Sequence, residues 1–166
     1  YMVETLRPNM NVDSTPEYVK YIFMDNLMMN VYPSKPETYN GSALISEYPE
    51  FSAAVKTCAA LRQQYLSYFA DGLTISDTAV DGDIPCRVSG YFDREKKSFL
   101  MVVYKYNDND AAIPFDLSYF TDAASHTWTI TDEGANLVAS GEMGTRGEIT
   151  VSGEKSRLYM IEIKAK

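Results

Sequence analysis

The chain has 166 residues, a formal net charge of −8, and 45% hydrophobic and 23% charged side chains. Those fractions belong to a globular domain and exclude wholesale disorder, and a chain of this length buries roughly two thirds of its unfolded surface without a covalent staple. The acidic balance excludes nucleic acid and anionic membrane surfaces as expected partners, because both are bound through clustered Lys and Arg.

No apolar run reaches the roughly 20 residues of a spanning helix. The richest segment, YIFMDNLMMNV, is interrupted by Asp25, Asn26 and Asn30, so no membrane insertion is expected. No basic segment followed by an apolar one announces a secretory signal. Charge is uneven: residues 1–83 carry 5 basic and 11 acidic side chains, and residues 84–166 carry 10 and 12.

The first predicted element is a helix over 14–31. Ser14 or Thr15 serves as N-cap, Pro16 stands in the first turn and Glu17 near the positive end of the dipole. Val19, Ile22, Phe23 and Leu27 recur at helical spacing, and Pro33 and Pro36 end the element. A polar, aromatic loop follows, VYPSKPETYNGSALISEYPE, with a turn at Asn40 and Gly41. The spacing then predicts a second helix over 52–70. Val55, Cys58, Leu61, Arg62, Tyr65, Tyr68 and Phe69 form its stripe, Lys56, Gln63 and Ser67 its wet face, and Gly72 is expected to stop it in the left-handed conformation.

After DGLTISDTAVDGD the hydrophobic period changes from 3.6 to 2 and stays there. Strands are predicted over 84–92, 98–106, 113–120, 126–132, 136–141, 146–152 and 156–165, joined by the turns NDND, DEGAN, GTRGE and SGEK. In the second strand both alternating faces are apolar, so both are expected to be covered. The stretch SFLMVVYKYNDNDAAIPFDLSYF reads as a hairpin or as two consecutive strands, with Ile113, Phe115, Leu117 and Tyr119 facing one way. The expected fold class is α+β, an N-terminal helical segment followed by an antiparallel β-sandwich of about seven strands. The expected division is a helical segment over 1–72, a linker over 73–83 and the sandwich over 84–166.

The succession CAALRQQYLSYFADGLTISDT, then IPCRVSGYFDREKKSFLMVVYKYNDNDAAIPFDLSYF, then RLYMIEIKAK resembles the end of a multidomain TIM-barrel glycoside hydrolase. In such enzymes the last helices of a (β/α)8 barrel lead into a C-terminal antiparallel sandwich. The resemblance covers about residues 52–166 and implies that residues 1–72 close a barrel and that the catalytic carboxylates lie upstream. The partner it implies is that upstream catalytic domain of the same protein, with carbohydrate as a further ligand. It also implies a periplasmic or secreted home. The chain alone is then a noncatalytic C-terminal portion. The alternative is an autonomous carbohydrate-binding, structural or interaction domain.

The residues themselves name no catalytic group. Glycoside hydrolysis uses two carboxyls, one with a raised pKa. Glu4 in ETLRPN and Asp25 in FMDN each interrupt an apolar context, as solvated helix-surface acids also do. Asp77, Asp81 and Asp83 supply the oxygen ligands Ca2+ takes, although Asp-Gly is also an ordinary turn and no EF-hand loop is present. Asn107–Asp110 reads as a turn before it reads as a metal site. Apart from that calcium reading, no cofactor is expected. His126 is the sole histidine and reads as a strand residue, and Cys58 and Cys86 as two free buried thiols. Flat aromatic rings stack on sugar C–H faces, and Tyr32, Tyr39, Tyr48 and Trp128 are the candidates for carbohydrate contact. For Trp128, between two threonines of an alternating strand, core packing is the competing assignment.

Overall fold

A computed structural model describes Lys20 and residues 49–75 and 86–166 of the chain. The helix expected over 14–31 and the loop that follows it lie outside these residues, as does most of the 73–83 segment. The chain divides into two compact units, Tyr1–Leu66 and Ser67–Lys166.

In the first unit, helix α1 runs from Pro49 to Gln64. It begins on a proline, whose missing N–H costs nothing at the first helical position, and Glu50 faces the positive end of the dipole. The predicted stripe is buried at Cys58, Leu61 and Tyr65, with Ala54 added to it, while Lys56 and Gln63 are exposed. The expected single helix is two: α1 stops at Gln64, and α2 spans Leu66–Asp71. Tyr65 sits between them and still donates its N–H to the Leu61 carbonyl at 3.1 Å.

Gly72 ends α2 by a different device from the one expected. Its φ lies outside the left-handed region, and a Cβ there would collide with the Tyr68 carbonyl, which accepts the Gly72 N–H at 3.0 Å. Glycine is needed because the chain turns directly into β1 (Leu73–Thr74).

Among the described residues the second unit carries eight antiparallel strands in two sheets. After β1 come β2 (Cys86–Asp93), β3 (Ser98–Lys105), β4 (Ala111–Asp116), β5 (Ser125–Asp132), β6 (Leu137–Gly144), β7 (Arg146–Val151) and β8 (Leu158–Ala165). The larger sheet has the order β1-β2-β3-β8-β5-β6, and the smaller pairs β4 with β7. The register sets Phe92 opposite Phe99, Gly90 opposite Met101 and Val103 opposite Tyr159. One face of the larger sheet and the inner face of the smaller therefore share a core that includes Phe99, Met101, Val103, Ile113, Phe115, Ile149, Ile161 and Ile163. On the opposite face of the larger sheet Phe69 of α2 meets Tyr91 edge-on, with centroids 5.0 Å apart. All eight residues of β3 are consequently buried, as its doubly apolar pattern predicts.

Two expectations change. Of the two readings of 98–120, two consecutive strands form and the hairpin does not: β3 and β4 belong to different sheets, and the NDND stretch carries the chain across. Local turn chemistry favours a reversal, but β3 already has β2 and β8 on its two sides. Tyr119 does not continue the inward face of Ile113, Phe115 and Leu117. Phe120 and Thr121 both donate to the Leu117 carbonyl, so the chain turns there, sending Phe120 toward Phe92 and Phe99 and leaving Tyr119 83% exposed.

Candidate functional site

The densest polar cluster of the second unit lies where α2 meets the larger sheet. The Tyr68 hydroxyl lies 2.8 Å from Ser98 Oγ and donates its proton to Glu162 Oε1 at 3.1 Å, leaving the Ser98 hydroxyl to donate to the phenol oxygen. Lys164 completes the row with an ion pair to Glu162 at 3.1 Å. Burial pushes the Tyr68 phenol well above the ordinary tyrosine value. The Ser98 hydrogen bond works against that shift, and the negative charge of Glu162 adds to it. Lys96 lies 5.8 Å above the Tyr68 ring, donates to Ser67 Oγ at 2.7 Å and pairs with Asp93 at 3.3 Å. Tyr68, Ser98, Glu162, Lys164, Lys96, Ser67 and Asp93 each have a partner within the cluster, which serves to fix the helix on the sheet.

Asp93, Asp116, Asp132 and Glu133 are similarly engaged. Asp93 accepts from the backbone N–H groups of Glu95 and Lys96 and so shapes the β2–β3 turn. Burial alone raises its carboxyl, but the Lys96 hydrogen bonds and charge outweigh that and hold it below the ordinary value. Asp116 is lowered by hydrogen bonds from the Ser118 side chain and backbone, and by Arg146 at 2.8 Å across the β4–β7 pair. Asp132 is lowered mainly by the Asn136 amide, with the backbone N–H groups of Asn136 and Gly134 assisting around the β5–β6 turn. Glu133 accepts the Leu158 N–H at 3.2 Å. A glycosidic general acid needs the opposite shift, upward. Among the described residues, no three His, Cys, Asp or Glu side chains converge as a metal site.

Of the residues singled out in the sequence, Tyr32, Tyr39, Tyr48, Asp77, Asp81 and Asp83 lie outside the described residues, as do Glu4 and Asp25. Trp128 is half-buried against the core and lies over Gly141, its register partner on β6; a Cβ at Gly141 would stand 2.6 Å from the indole. His126 is buried 6.4 Å from the Phe99 ring, and neither of its ring nitrogens has a hydrogen-bond partner. Burial lowers its pKa, and the Gly144 backbone offsets part of that. Cys58 and Cys86 are both buried and are not joined in a disulfide; burial pushes the Cys86 thiol up to about 11 against the opposing charge of Lys105. In the NDND segment Asn107 accepts the Asn109 N–H, and Asp108 accepts the Lys155 N–H at 2.8 Å.

Sequence reasoning missed Lys105. It is 1% exposed and donates its ammonium to the carbonyls of Val151 and Gly153, at 3.2 and 2.8 Å, clamping the β7–β8 connection. The detectable sign was parity: Lys105 shares a face with Phe99, Met101 and Val103.

No family model and no curated protein matches the sequence. Solved structures do match the fold. One titled simply a glycoside hydrolase superposes with a TM-score of 0.64 at 9% identity, over 92% of this chain and 37% of that one. A glycoside hydrolase family 5 protein from Bacteroides vulgatus gives 0.62 at 9% identity, over 90% and 36%. A noncanonic maltogenic α-amylase from Thermotoga neapolitana gives 0.56 at 13% identity, over 95% and 40%. The chain therefore spans between about a third and two fifths of these structures, and the likeness is one of fold.

Proposed function

We propose that this chain is the noncatalytic C-terminal portion of a glycoside hydrolase-like, carbohydrate-active protein, in which helices at the end of a barrel lead into an antiparallel sandwich that supports the upstream catalytic domain. The observation that carries this reading is the coverage: three glycoside-acting structures each accommodate at least 90% of this chain within no more than 40% of their own. It is further supported by the employment of Asp93, Asp116 and Asp132 as turn formers and ion-pair partners, with all three carboxyls shifted downward.

The test has two parts. The encoding reading frame, followed upstream, is expected to continue for several hundred residues of alternating strand and helix pattern. The purified chain is expected to leave aryl glycosides intact, whereas the longer product turns them over. Turnover by the purified chain that disappears on changing one of its own carboxylates overturns the reading.

A further inference from the structure

Sheet edges expose unpaired N–H and C=O groups, and natural proteins guard them by shortening the edge strand or by placing Pro or charged residues on it. The outer strands of this unit differ sharply in such guards. β1 is two residues long, β4 carries Pro114, and β7 carries Arg146 and Glu148. Among the described residues β6 ends the six-stranded order; it runs for eight residues as LVASGEMG and contains neither proline nor a basic residue. Leu137 is 66% and Val138 41% exposed, and the register against β5 is unbroken from Ala139 to Gly144. Its only charge, Glu142, is already paired with Lys166 at 2.5 Å.

We propose that β6 is a pairing edge for a second copy of this chain, joined antiparallel about a two-fold axis at Gly141 so that the two large sheets become continuous. The register follows from face and charge. Opposite residues of an antiparallel pair point to the same side, so the axis must pass through a residue. An axis at Glu142 would oppose two like charges, and one at Ser140 would set each carboxylate against Val138. With the axis at Gly141, Ser140 opposes Glu142 twice and can donate its hydroxyl to the carboxylate, Ala139 opposes Met143 twice on the core side, and glycine opposes glycine at the centre. Cross-strand pairs of this kind are the unit of sheet stabilisation. One added strand pair is a small interface, so the association is concentration-dependent.

Sedimentation of the 166-residue chain from about 1 to 200 µM reads the association, and cysteine pairing reads the register. Opposed positions bring Cα atoms within disulfide range, whereas Ser140 and its own copy are too far apart. Under mild oxidation, a mixture of Ser140→Cys and Glu142→Cys proteins is expected to give a covalent heterodimer at several times the yield of either protein alone, above a wild-type control for the buried Cys58 and Cys86. Ser140→Glu, on an exposed position, sets two pairs of like charges against each other at the seam and is expected to abolish the dimer with the melting temperature retained. A wild-type monomer throughout the range overturns the proposal. So does a dimer that ignores Ser140→Glu, or one that yields no excess heterodimer, because the copies then meet elsewhere or in another register.

Discussion

The hydroxyl of Tyr68 reaches that of Ser98 at 2.8 Å, joining the short second helix to the central part of the larger sheet by a bond between residues 30 positions apart. Ser98 is buried, so removing the phenol oxygen strands it and deprives Glu162 of a neighbour. Tyr68→Phe is expected to cost about 1–2 kcal/mol, because the stranded buried hydroxyl keeps its desolvation penalty without the bond that offset it. Ser98→Ala added to Tyr68→Phe should cost less than the sum of the two separately. Urea denaturation of both single variants and the double variant measures this coupling, and strict additivity would show that the two hydroxyls act independently.

His126 makes stability pH-dependent. Its folded pKa is lowered, so the unfolded chain takes up the proton more readily than the folded one. Stability is therefore insensitive to this residue above the unfolded value near 6.5. It falls as the pH drops below that value and levels off beneath the folded pKa. His126→Leu should remove this component while leaving the carboxylate contributions in place, so the gap between the wild-type and variant melting curves should change between about pH 7.5 and 5. A gap that stays constant across that range contradicts the assignment.

Met101 is fully buried in the shared core, and Met101→Ala is expected to cost roughly 2–5 kcal/mol. The NDND segment is less inert than a free turn, because Asp108 accepts the Lys155 N–H. Asp108→Ser should therefore cost about 0.5–1.5 kcal/mol, the worth of one hydrogen bond. Both losses should be equal with calcium and with chelator. A calcium-dependent loss at Asp108 would instead reveal a metal site there.

The β7–β8 connection depends on Gly153 and Lys105 together. Gly153 has φ +144°, and a Cβ there would collide with the Tyr159 hydroxyl, so Gly153→Ala is expected to cost roughly 1–3 kcal/mol. Lys105→Met keeps the length of the side chain and loses both bonds to the Val151 and Gly153 carbonyls, at a cost of roughly 1.5–3 kcal/mol. Thermal melts of the two variants check this, and a Lys105→Met protein as stable as wild type would mean that water satisfies those carbonyls.

Strand positions were largely legible in the sequence because side-chain alternation is local: seven predicted strands correspond to β2 through β8 with ends shifted by a few residues. What alternation does not encode is partnership. Nothing within 98–120 reveals that β3 pairs with a strand more than fifty residues away while β4 pairs with β7, since those choices depend on the total burial of both sheets. β1 is too short to show a period and forms because β2 already offers it an edge. Tyr119 was misplaced because two backbone hydrogen bonds to Leu117 stop the strand, and the residues around it carry no glycine or proline to mark the turn. The chemical reading was weakest for a comparable reason. Asp116 is identifiable as an acid in the sequence, but its engagement with Arg146 depends on the pairing of β4 with β7.

The strand order has a consequence for how the chain is made. β8, the last strand in sequence, lies between β3 and β5 and is hydrogen-bonded to both along nearly its whole length. During synthesis β1-β2-β3 and β5-β6 can each assemble as they emerge, but the gap between them stays open until residues 158–165 have left the ribosome. The two flanking edges must wait unpaired for that interval, and contacts that span so much sequence are slow to close. Nascent chains stalled just short of Leu158 should therefore be far more open to protease and chaperone than chains in which residues 158–165 have cleared the exit tunnel, so the emergence of this one strand closes the sheet.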